Sequence, residues 1–284
     1  MVDSKNKKLK ILITGANGQL GRCLQDVAEK YPGYDFHFKT SKELDITKKE
    51  QINSLFIHEK FDYCINCAAY TAVDKAETDQ ENAFLVNAEA IRYLAEACKF
   101  KNTILIHIST DFVFDGSKTT PYTEEDVPHP INVYGASKLK GEQYVQDILA
   151  HYFIIRTSWV FSEYGNNFVK TMLRLGAEKE ELNVVDDQLG SPTYAGDLAE
   201  AIMEIIRLKT TDYGLYHFSN EGAITWYEFA KAIFKANGRK VKVNPVPSKA
   251  YPTQAKRPIF TVLDKSKINH FIEIHNWKKG LENV

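Results

Sequence analysis

The chain has 284 residues, 44% of them hydrophobic, which is enough to bury a substantial core. Its 36 Lys and Arg against 37 Asp and Glu leave a net charge of −1, so nothing in the composition indicates binding to nucleic acid or to an anionic membrane. No apolar run approaches the ~20 residues that a membrane helix needs, and we therefore expect a small-molecule partner.

The cellular compartment is indicated by the first residues and by the four cysteines. Residues 1–8 are polar and lack the apolar centre of an export signal. Cys64 and Cys67 form a C-x-x-C in a predicted strand, where such residues lie about 10 Å apart on opposite sides, too far for a disulfide. Cys23 and Cys98 fall in predicted helices with no second C-x-x-C to complete a metal site. We predict reduced cysteines, no metal and a cytoplasmic location.

The first strongly patterned segment is a strand followed by a glycine turn and a helix. Residues 9–14 read as a buried strand, and a helix is predicted over about 19–30. Between them, Gly15 permits a sharp turn, Gly18 lets the backbone approach a phosphate, and Gly21 lets the helix pack close to the strand. The N-terminus of the helix attracts an anion. This order predicts a dinucleotide-binding turn; a tight loop is the alternative.

The rest of the chain alternates strand and helix patterns, which predicts an α/β protein with a doubly wound, Rossmann-type parallel sheet. Ligands of such sheets bind beyond the carboxyl ends of the strands. The shorter elements after Trp159 predict a smaller C-terminal α/β substrate lobe. We expect residues 1–160 to form the dinucleotide-binding core, and residues 161–284 to form mainly the substrate-binding lobe, with some chain crossing back. The predicted strands are 11–14, 35–39, 63–66, 104–109 and 153–157; helices are predicted near Gln19, Lys48, Glu81 and Val133 and over 168–178, 195–209 and 225–237.

Tyr134 and Lys138 stand four residues apart in a predicted helix, so their side chains share one face. A nearby ammonium favours the phenolate and would lower the tyrosine pKa from about 10 towards neutrality. Such a phenol is a usable general acid or base. A surface helix that carries both residues by chance is the alternative.

Several motifs together resemble one superfamily, the extended short-chain dehydrogenases/reductases. They are the glycine turn, the stretch at 66–69, Ser109-Thr110-Asp111 and the Tyr134/Lys138 pair. Further segments, spread over nearly the whole chain, are similar to the dTDP-4-dehydrorhamnose reductase family. These segments are 68–74, 109–116, 156–161, 187–193 and Arg257-Pro258.

The resemblance implies reduction of the C4 keto group of a nucleotide sugar, dTDP-4-dehydro-L-rhamnose, to give dTDP-L-rhamnose, a precursor of cell-surface polysaccharide. It implies Tyr134 as proton donor, Lys138 as a ligand of the cofactor ribose, and Thr110 as a hydrogen-bonding partner of the reacting oxygen. The implied cofactor-binding residues are Gly15, Asn17, Gly18, Gln19, Leu20, Asp45, Ile46, Ala68, Ala69, Tyr70, Thr71, Ser109, Tyr134 and Lys138; the implied substrate-binding residues are Val73, Thr110, Asp111, Phe112, Trp159, Asn167, Gln188 and Arg257.

Five of these residues also have a purely structural interpretation. The Thr110 hydroxyl could bond its own backbone at the strand end, Trp159 could belong to the core, and Phe112 could cap the sheet. The Arg257 guanidinium either makes two hydrogen bonds to the diphosphate or is a solvated charge. Asp45 either bonds the adenine or lies in the N-cap region of the helix that starts near Lys48.

Two positions bear on cofactor choice and assembly. The second strand ends in residues 38–42 without the carboxylate that would bind the ribose of NAD, which favours NADPH and leaves NADH open. Cys23 stands where some bacterial family members carry a glutamate for a magnesium-bridged dimer, and a thiol is a poor ligand for a hard cation. We predict no such metal, and a homodimer remains open.

Two other functions stay in view. One is an epimerase or dehydratase of the same superfamily, although a 4,6-dehydratase would carry an Asp-Glu pair after the threonine, whereas Asp111-Phe112 follow Thr110. The other is a non-catalytic, NADP-binding regulatory subunit, like that of eukaryotic methionine adenosyltransferase, which resembles this family. Turnover of a keto sugar distinguishes the reductase from both.

Overall fold

A six-stranded parallel sheet forms the centre of the computed structural model, which describes residues 8–284. Its strand order is β10-β5-β4-β3-β1-β2, so the winding direction reverses between β1 and β3. The strands are β1 (Leu9–Thr14), β2 (Tyr34–Lys39), β3 (Tyr63–Asn66), β4 (Ile104–Thr110), β5 (Tyr152–Thr157), β6 (Val160–Phe161), β7 (Glu181–Val185), β8 (Leu189–Gly190), β9 (Thr193–Tyr194), β10 (Gly214–His217), β11 (Ile224–Thr225) and β12 (Lys242–Val246). The helices are α1 (Gln19–Ala28), α2 (Lys49–His58), α3 (Val73–Ala76), α4 (Gln80–Phe84), α5 (Ala90–Lys101), α6 (Val133–Ile148), α7 (Phe168–Glu178), α8 (Ala195–Leu208), α9 (Trp226–Ala236) and α10 (Trp277–Leu281).

Both faces of the sheet are covered by helices. Ile11 and Ile13 of β1 pack with residues of α1 and α8 on one face. Leu12, between them, packs with residues of α2 and α5 on the other. All three side chains are fully buried, which explains why β1 reads as a continuous apolar run. The predicted doubly wound parallel sheet is confirmed.

The second half of the chain contributes both a separate lobe and parts of the main sheet. In the lobe, β7 pairs with β12, and a cluster that includes Phe229 and Ile233 lies between α7 and α9. The predicted small α/β lobe is therefore present. Two elements return to the core: β10 pairs with β5, and α8 packs on α1. The functional division at residue 160 stays a proposal.

The remaining sequence predictions concern the chain start and the cysteines. Residues 1–7 lie outside the part of the chain that the structure describes. Within residues 8–284, no helix combines the length and apolarity needed to cross a bilayer. Cys23, Cys64 and Cys98 are buried, Cys67 is half-buried beyond the end of β3, and all four are free. The prediction of unpaired cysteines is confirmed.

Two glycines let α6 lie unusually close to its neighbours. A Cβ atom at Gly135 would overlap the carbonyl oxygen of Phe112, and a Cβ at Gly141 would overlap that of Asn87. Asn87 lies in a π-helical turn, Leu85–Glu89, between α4 and α5. Such turns are rare and occur often at functional sites. The backbone of α6 is thus fixed on both sides.

We predict that Gly141→Ala lowers the free energy of unfolding by about 1–3 kcal/mol, because the added methyl group forces α6 away from the π-helical turn. Urea unfolding measures this loss. Gly33→Ala is the matched control, since a Cβ there meets no atom within 4 Å, and it should change stability by less than about 0.5 kcal/mol. If the two variants were equally stable, α6 would not be closely packed against the π-helical turn at Gly141.

Candidate active site

The glycine turn presents bare backbone at the carboxyl end of β1. Gly15 has φ +67°, and a Cβ there would lie 2.6 Å from the amide nitrogen of Ala68 in the loop after β3. A Cβ at Gly21 would lie 2.5 Å from the carbonyl oxygen of Gly15. Gly18 is the N-cap of α1 and carries no capping side chain, so the helix offers the N–H groups of its first turn, which begins at Gln19, to an anion. The turn fits a dinucleotide pyrophosphate.

The loop after β3, which holds the predicted residues 68–71, is fixed by a residue that the sequence analysis did not single out. Asn87 accepts a hydrogen bond from the Tyr70 amide at 2.8 Å and donates to the Tyr70 carbonyl oxygen at 3.0 Å. It also donates to the Ser137 hydroxyl at 3.0 Å, and that hydroxyl donates to the carbonyl oxygen of Tyr134 at 2.8 Å. Asn87 therefore links the loop to the first turns of α6.

The three residues with predicted chemical roles lie along the last three residues of β4. The Thr110 hydroxyl accepts from the Phe112 amide at 3.2 Å, as the structural interpretation expects, and it also lies against the Tyr134 side chain. Asn132 caps α6 through the Gly135 amide at 2.7 Å and so fixes the turn that carries Tyr134. One turn later, the Lys138 ammonium donates to the carbonyl oxygen of Ile108 at 2.6 Å.

The prediction that Lys138 lowers the pKa of Tyr134 is wrong in this structure. Burial raises the pKa of Tyr134 to about 12, and this outweighs the opposing hydrogen bond with Thr110. The ammonium of Lys138 is directed towards Ile108, and burial lowers its own pKa to about 8. Tyr134 therefore keeps its proton at neutral pH, which is the form that a proton donor needs.

Asp111 places an unsatisfied carboxylate oxygen next to this group. Its side chain is buried, and its Oδ1 accepts from the Thr110 hydroxyl at 3.0 Å. Its Oδ2 has no hydrogen-bond partner among residues 8–284. Burial raises the pKa of Asp111 to about 6, and this outweighs the opposing hydrogen bond from Thr110. A buried acceptor without a partner is a candidate for a substrate hydroxyl.

Trp159 has the backbone of a strained residue and stacks on a second tryptophan. Its φ is +47°, a region that non-glycine residues rarely adopt. Its ring lies 3.5 Å from that of Trp226 at an interplanar angle of 8°. Gly190 lies against the same ring, since a Cβ there would approach it to 2.7 Å. Trp159 thus joins the lobe to the end of β5, and its contact with substrate stays a prediction.

Arg257 and Asn167 both make contacts between the two halves of the chain. The Arg257 guanidinium donates two hydrogen bonds to the Asp74 carboxylate, with nitrogen–oxygen distances of 3.0 and 2.6 Å, and this lowers the pKa of Asp74. The Asn167 amide donates to the Gln19 side chain at 2.8 Å while its oxygen caps α7. Arg257 is therefore not simply a solvated charge.

The segment after β2 is tied together by two carboxylates. Asp45 Oδ1 accepts from the backbone and hydroxyl of Thr47 at 3.0 and 2.7 Å, so it closes a turn ahead of α2. Glu43 accepts from the backbone and hydroxyl of Thr40 at 2.9 and 2.7 Å. Glu43 was not among the predicted residues, although its contacts with Thr40 span only three residues along the chain. Ile46 is buried in the core.

The other predicted residues surround the same edge of the sheet. Val73 begins α3 beside Asp74, Gln188 is buried just ahead of β8, and the Ser109 hydroxyl donates to Glu142 within the protein. Phe112 lies edge-on to the Tyr134 ring, with centroids 5.8 Å apart. The structure thus gathers most of the predicted residues, but their roles towards cofactor and substrate remain predictions.

A doubly wound parallel sheet with this glycine turn and this tyrosine–lysine helix defines the extended short-chain dehydrogenase/reductase class. A family model described as the RmlD substrate binding domain matches residues 9–284. The chain belongs to the dTDP-4-dehydrorhamnose reductase family, as the resemblance of its motifs predicts.

Individual relatives cover almost the full length of the chain. The dTDP-4-dehydrorhamnose reductase of Aggregatibacter actinomycetemcomitans is 44% identical over 97% of this chain and 98% of its own. The spore coat polysaccharide biosynthesis protein SpsK of Bacillus subtilis is 40% identical over 96% of this chain and 95% of its own. A crystal structure of dTDP-4-dehydrorhamnose reductase from Bacillus anthracis in complex with NADP superposes with a TM-score of 0.93, at 44% identity over 97% of this chain and 98% of that one.

We predict that Asp111→Asn stabilises the protein at neutral pH. In the folded protein the pKa of Asp111 is raised to about 6. The protonated side chain therefore contributes its full stabilisation below about pH 4, and this stabilisation is lost as the pH rises through 6 and the buried group becomes charged. Above that pH the buried charge costs at most about 3 kcal/mol, which the amide avoids. Urea unfolding from pH 4 to 8 measures the difference.

The matched control is Asp147→Asn, which removes an exposed carboxylate of α6. It should change stability little at any pH. A constant difference between Asp111→Asn and wild type across this range would contradict the predicted cost of the buried charge.

Proposed function

We propose that this protein reduces the C4 keto group of dTDP-4-dehydro-L-rhamnose with NADPH, or less readily with NADH, and gives dTDP-L-rhamnose. One observation carries the proposal: the side chains of Tyr134 and Lys138 contact the last three residues of β4, at Thr110 and at Ile108, on the same edge of the sheet as the glycine turn. The names of the relatives support the substrate, and the complex of the Bacillus anthracis relative with NADP supports the cofactor.

The residues present fit this cofactor. Bound NADPH would supply the hydride for the reduction. The backbone at Gly15, Gly18 and Gln19 would hold its pyrophosphate, because no side chain fills the turn. Lys138, which already donates to a carbonyl oxygen, would extend its remaining N–H groups to the ribose hydroxyls.

Tyr134 would donate the proton. As the keto carbon is reduced, its oxygen becomes an alkoxide, a stronger base than a phenolate, so the proton leaves a neutral phenol favourably. The raised pKa of Tyr134 keeps that proton in place beforehand. The Thr110 hydroxyl would stabilise the charge that develops on the oxygen, and the ammonium of Lys138 would stabilise the phenolate that remains.

The substrate would lie between the core and the C-terminal lobe. The unsatisfied Oδ2 of Asp111 would accept a sugar hydroxyl, and Arg257, held by Asp74, would face the diphosphate. We propose that residues 1–160 bind the cofactor and that residues 161–284 mainly bind the substrate. Free cysteines suit the reducing cytoplasm, where we place the reaction. A homodimer remains open.

We predict that Tyr134→Phe lowers kcat by about 10²–10⁴-fold, because the reaction loses its proton donor. Oxidation of NADPH in the presence of dTDP-4-dehydrorhamnose measures turnover, and fluorescence titration should show cofactor affinity close to that of wild type. Tyr93→Phe, which removes a phenol on α5 away from the site, should leave kcat unchanged. Undiminished activity of Tyr134→Phe would remove this residue from the mechanism.

We predict that kcat/KM declines as the pH rises through about 8, where the Lys138 ammonium loses its proton. Below this pH the lysine is charged, so the rate should level off on the acidic side of that transition. A profile from pH 6 to 10 measures the decline. In Lys138→Arg, whose side chain stays charged, the decline near 8 should disappear, even if the overall rate is lower. A wild-type profile that stays flat to pH 9.5 would contradict this assignment.

A further inference from the structure

A buried ion pair lies behind the proposed active site. Glu142 is one helical turn after Lys138 on α6, and Arg156 is on β5; their side chains are 1% and 2% exposed. The guanidinium contacts the carboxylate twice, from Nε to Oε1 at 2.9 Å and from Nη2 to Oε2 at 2.6 Å. The Ser109 hydroxyl of β4 donates to the same carboxylate. The cluster therefore connects α6 to two strands.

This pair is costly for a purely structural contact. Removing two charges from water costs several kcal/mol per ion. Replacing a buried ion pair by apolar side chains of similar volume often leaves a protein equally stable or more stable. Arg156 is not even fully satisfied: its Nη1 has no hydrogen-bond partner in the part of the chain that the structure describes. Its guanidinium lies 5.0 Å over the ring of Phe114. The cost indicates a role beyond holding the core together.

The position of the pair along β4 indicates that role. Three consecutive residues of this strand serve the site: Ile108 accepts from the Lys138 ammonium, Ser109 donates to Glu142, and Thr110 lies against Tyr134. Two successive turns of α6 are thus bound to one strand. Movement of Glu142 would change the position of the lysine one turn away.

The electrostatic surroundings of Lys138 point to the same residue. Burial lowers the pKa of Lys138, and Glu142 opposes this effect more strongly than the thiol of Cys67 does. Burial raises the pKa of Cys67 and lowers that of His107, so both are neutral near pH 7. Tyr134 is neutral there as well. Glu142 is therefore the acidic group that most strongly opposes the lowering of the Lys138 pKa.

We propose that Glu142 is a positioning residue for Lys138, and that Ser109 and Arg156 hold its carboxylate for this purpose. The carboxylate fixes the turn of α6 that carries the lysine and keeps the buried ammonium charged. The role in catalysis rests on the proposed function, whereas the effect on the lysine itself does not.

The test removes both charges together. Glu142→Gln alone would leave the Arg156 guanidinium buried without its partner, which is strongly destabilising. The double variant Glu142→Gln/Arg156→Met avoids this and keeps an apolar stem over Phe114. A second double variant, Glu142→Gln/Arg156→Gln, keeps polar contact between α6 and β5 and replaces the first should that one fail to fold.

The matched control is Glu204→Gln/Arg207→Met. It removes a partly exposed ion pair on α8, with nitrogen–oxygen distances of 2.7 and 2.5 Å, that shares no residue with the Glu142 cluster. Titration of ¹³C-labelled lysine side chains by NMR, with the Lys138 signal assigned by its absence in Lys138→Met, gives the first measurement. It needs neither substrate nor turnover.

We expect the pKa of Lys138 to fall by about one unit or more in the Glu142 double variants, and to stay as in wild type in the control. The decline of kcat/KM at high pH should move to lower pH by the same amount. Well above both pKa values, the charged fraction of Lys138 would then be about tenfold smaller than in wild type.

A lower thermal stability with an unchanged Lys138 titration and an unchanged pH profile would overturn the proposal and leave Glu142 a structural residue. If the wild-type protein did not reduce the keto sugar at all, the proposed function would fail. The NMR titration would still decide whether Glu142 controls Lys138, so the two failures are distinguishable.

Discussion

The hydrogen bond from the Lys138 ammonium to the carbonyl oxygen of Ile108 is the interaction on which the rest of the site depends. An ammonium that is 2% exposed is tolerated only when its charge and its N–H groups find partners. That requirement brings α6 into direct contact with β4. Glycines at 135 and 141 make the contact sterically feasible, because any larger residue would overlap a neighbouring carbonyl oxygen.

This close packing determines the chemistry of the phenol. Burial beside Thr110 and Phe112 keeps Tyr134 protonated, as the proposed role of proton donor requires. In the proposed mechanism, Lys138 would act later, when a phenolate has formed and a nearby positive charge stabilises it. The raised pKa of the tyrosine and the lowered pKa of the lysine have the same cause, which is exclusion of water from the end of β4.

The sequence was sufficient to predict the carboxyl ends of five of the six central strands to within one residue, because parallel strands are continuous apolar runs. The sixth strand, β10, was not predicted. The four-residue spacing placed Tyr134 and Lys138 on one helix face, and the family resemblance supplied their predicted roles. Asn87 could not be predicted in the same way, since its π-helical turn depends on tertiary packing. Glu142 and Arg156 escaped notice because nothing local pairs residues on different elements. The direction of the Tyr134 pKa required burial, which only the fold provides.

The hydrogen bond between Gln19 and Asn167 has a consequence for engineering this scaffold. One amide belongs to the dinucleotide turn and the other begins the first helix of the lobe, so the lobe is oriented by the element that would hold the cofactor. A lobe transplanted from another enzyme of the class would need its own amide at that helix start. Without it, a grafted lobe could fold correctly and still present its sugar pocket out of alignment with the nicotinamide.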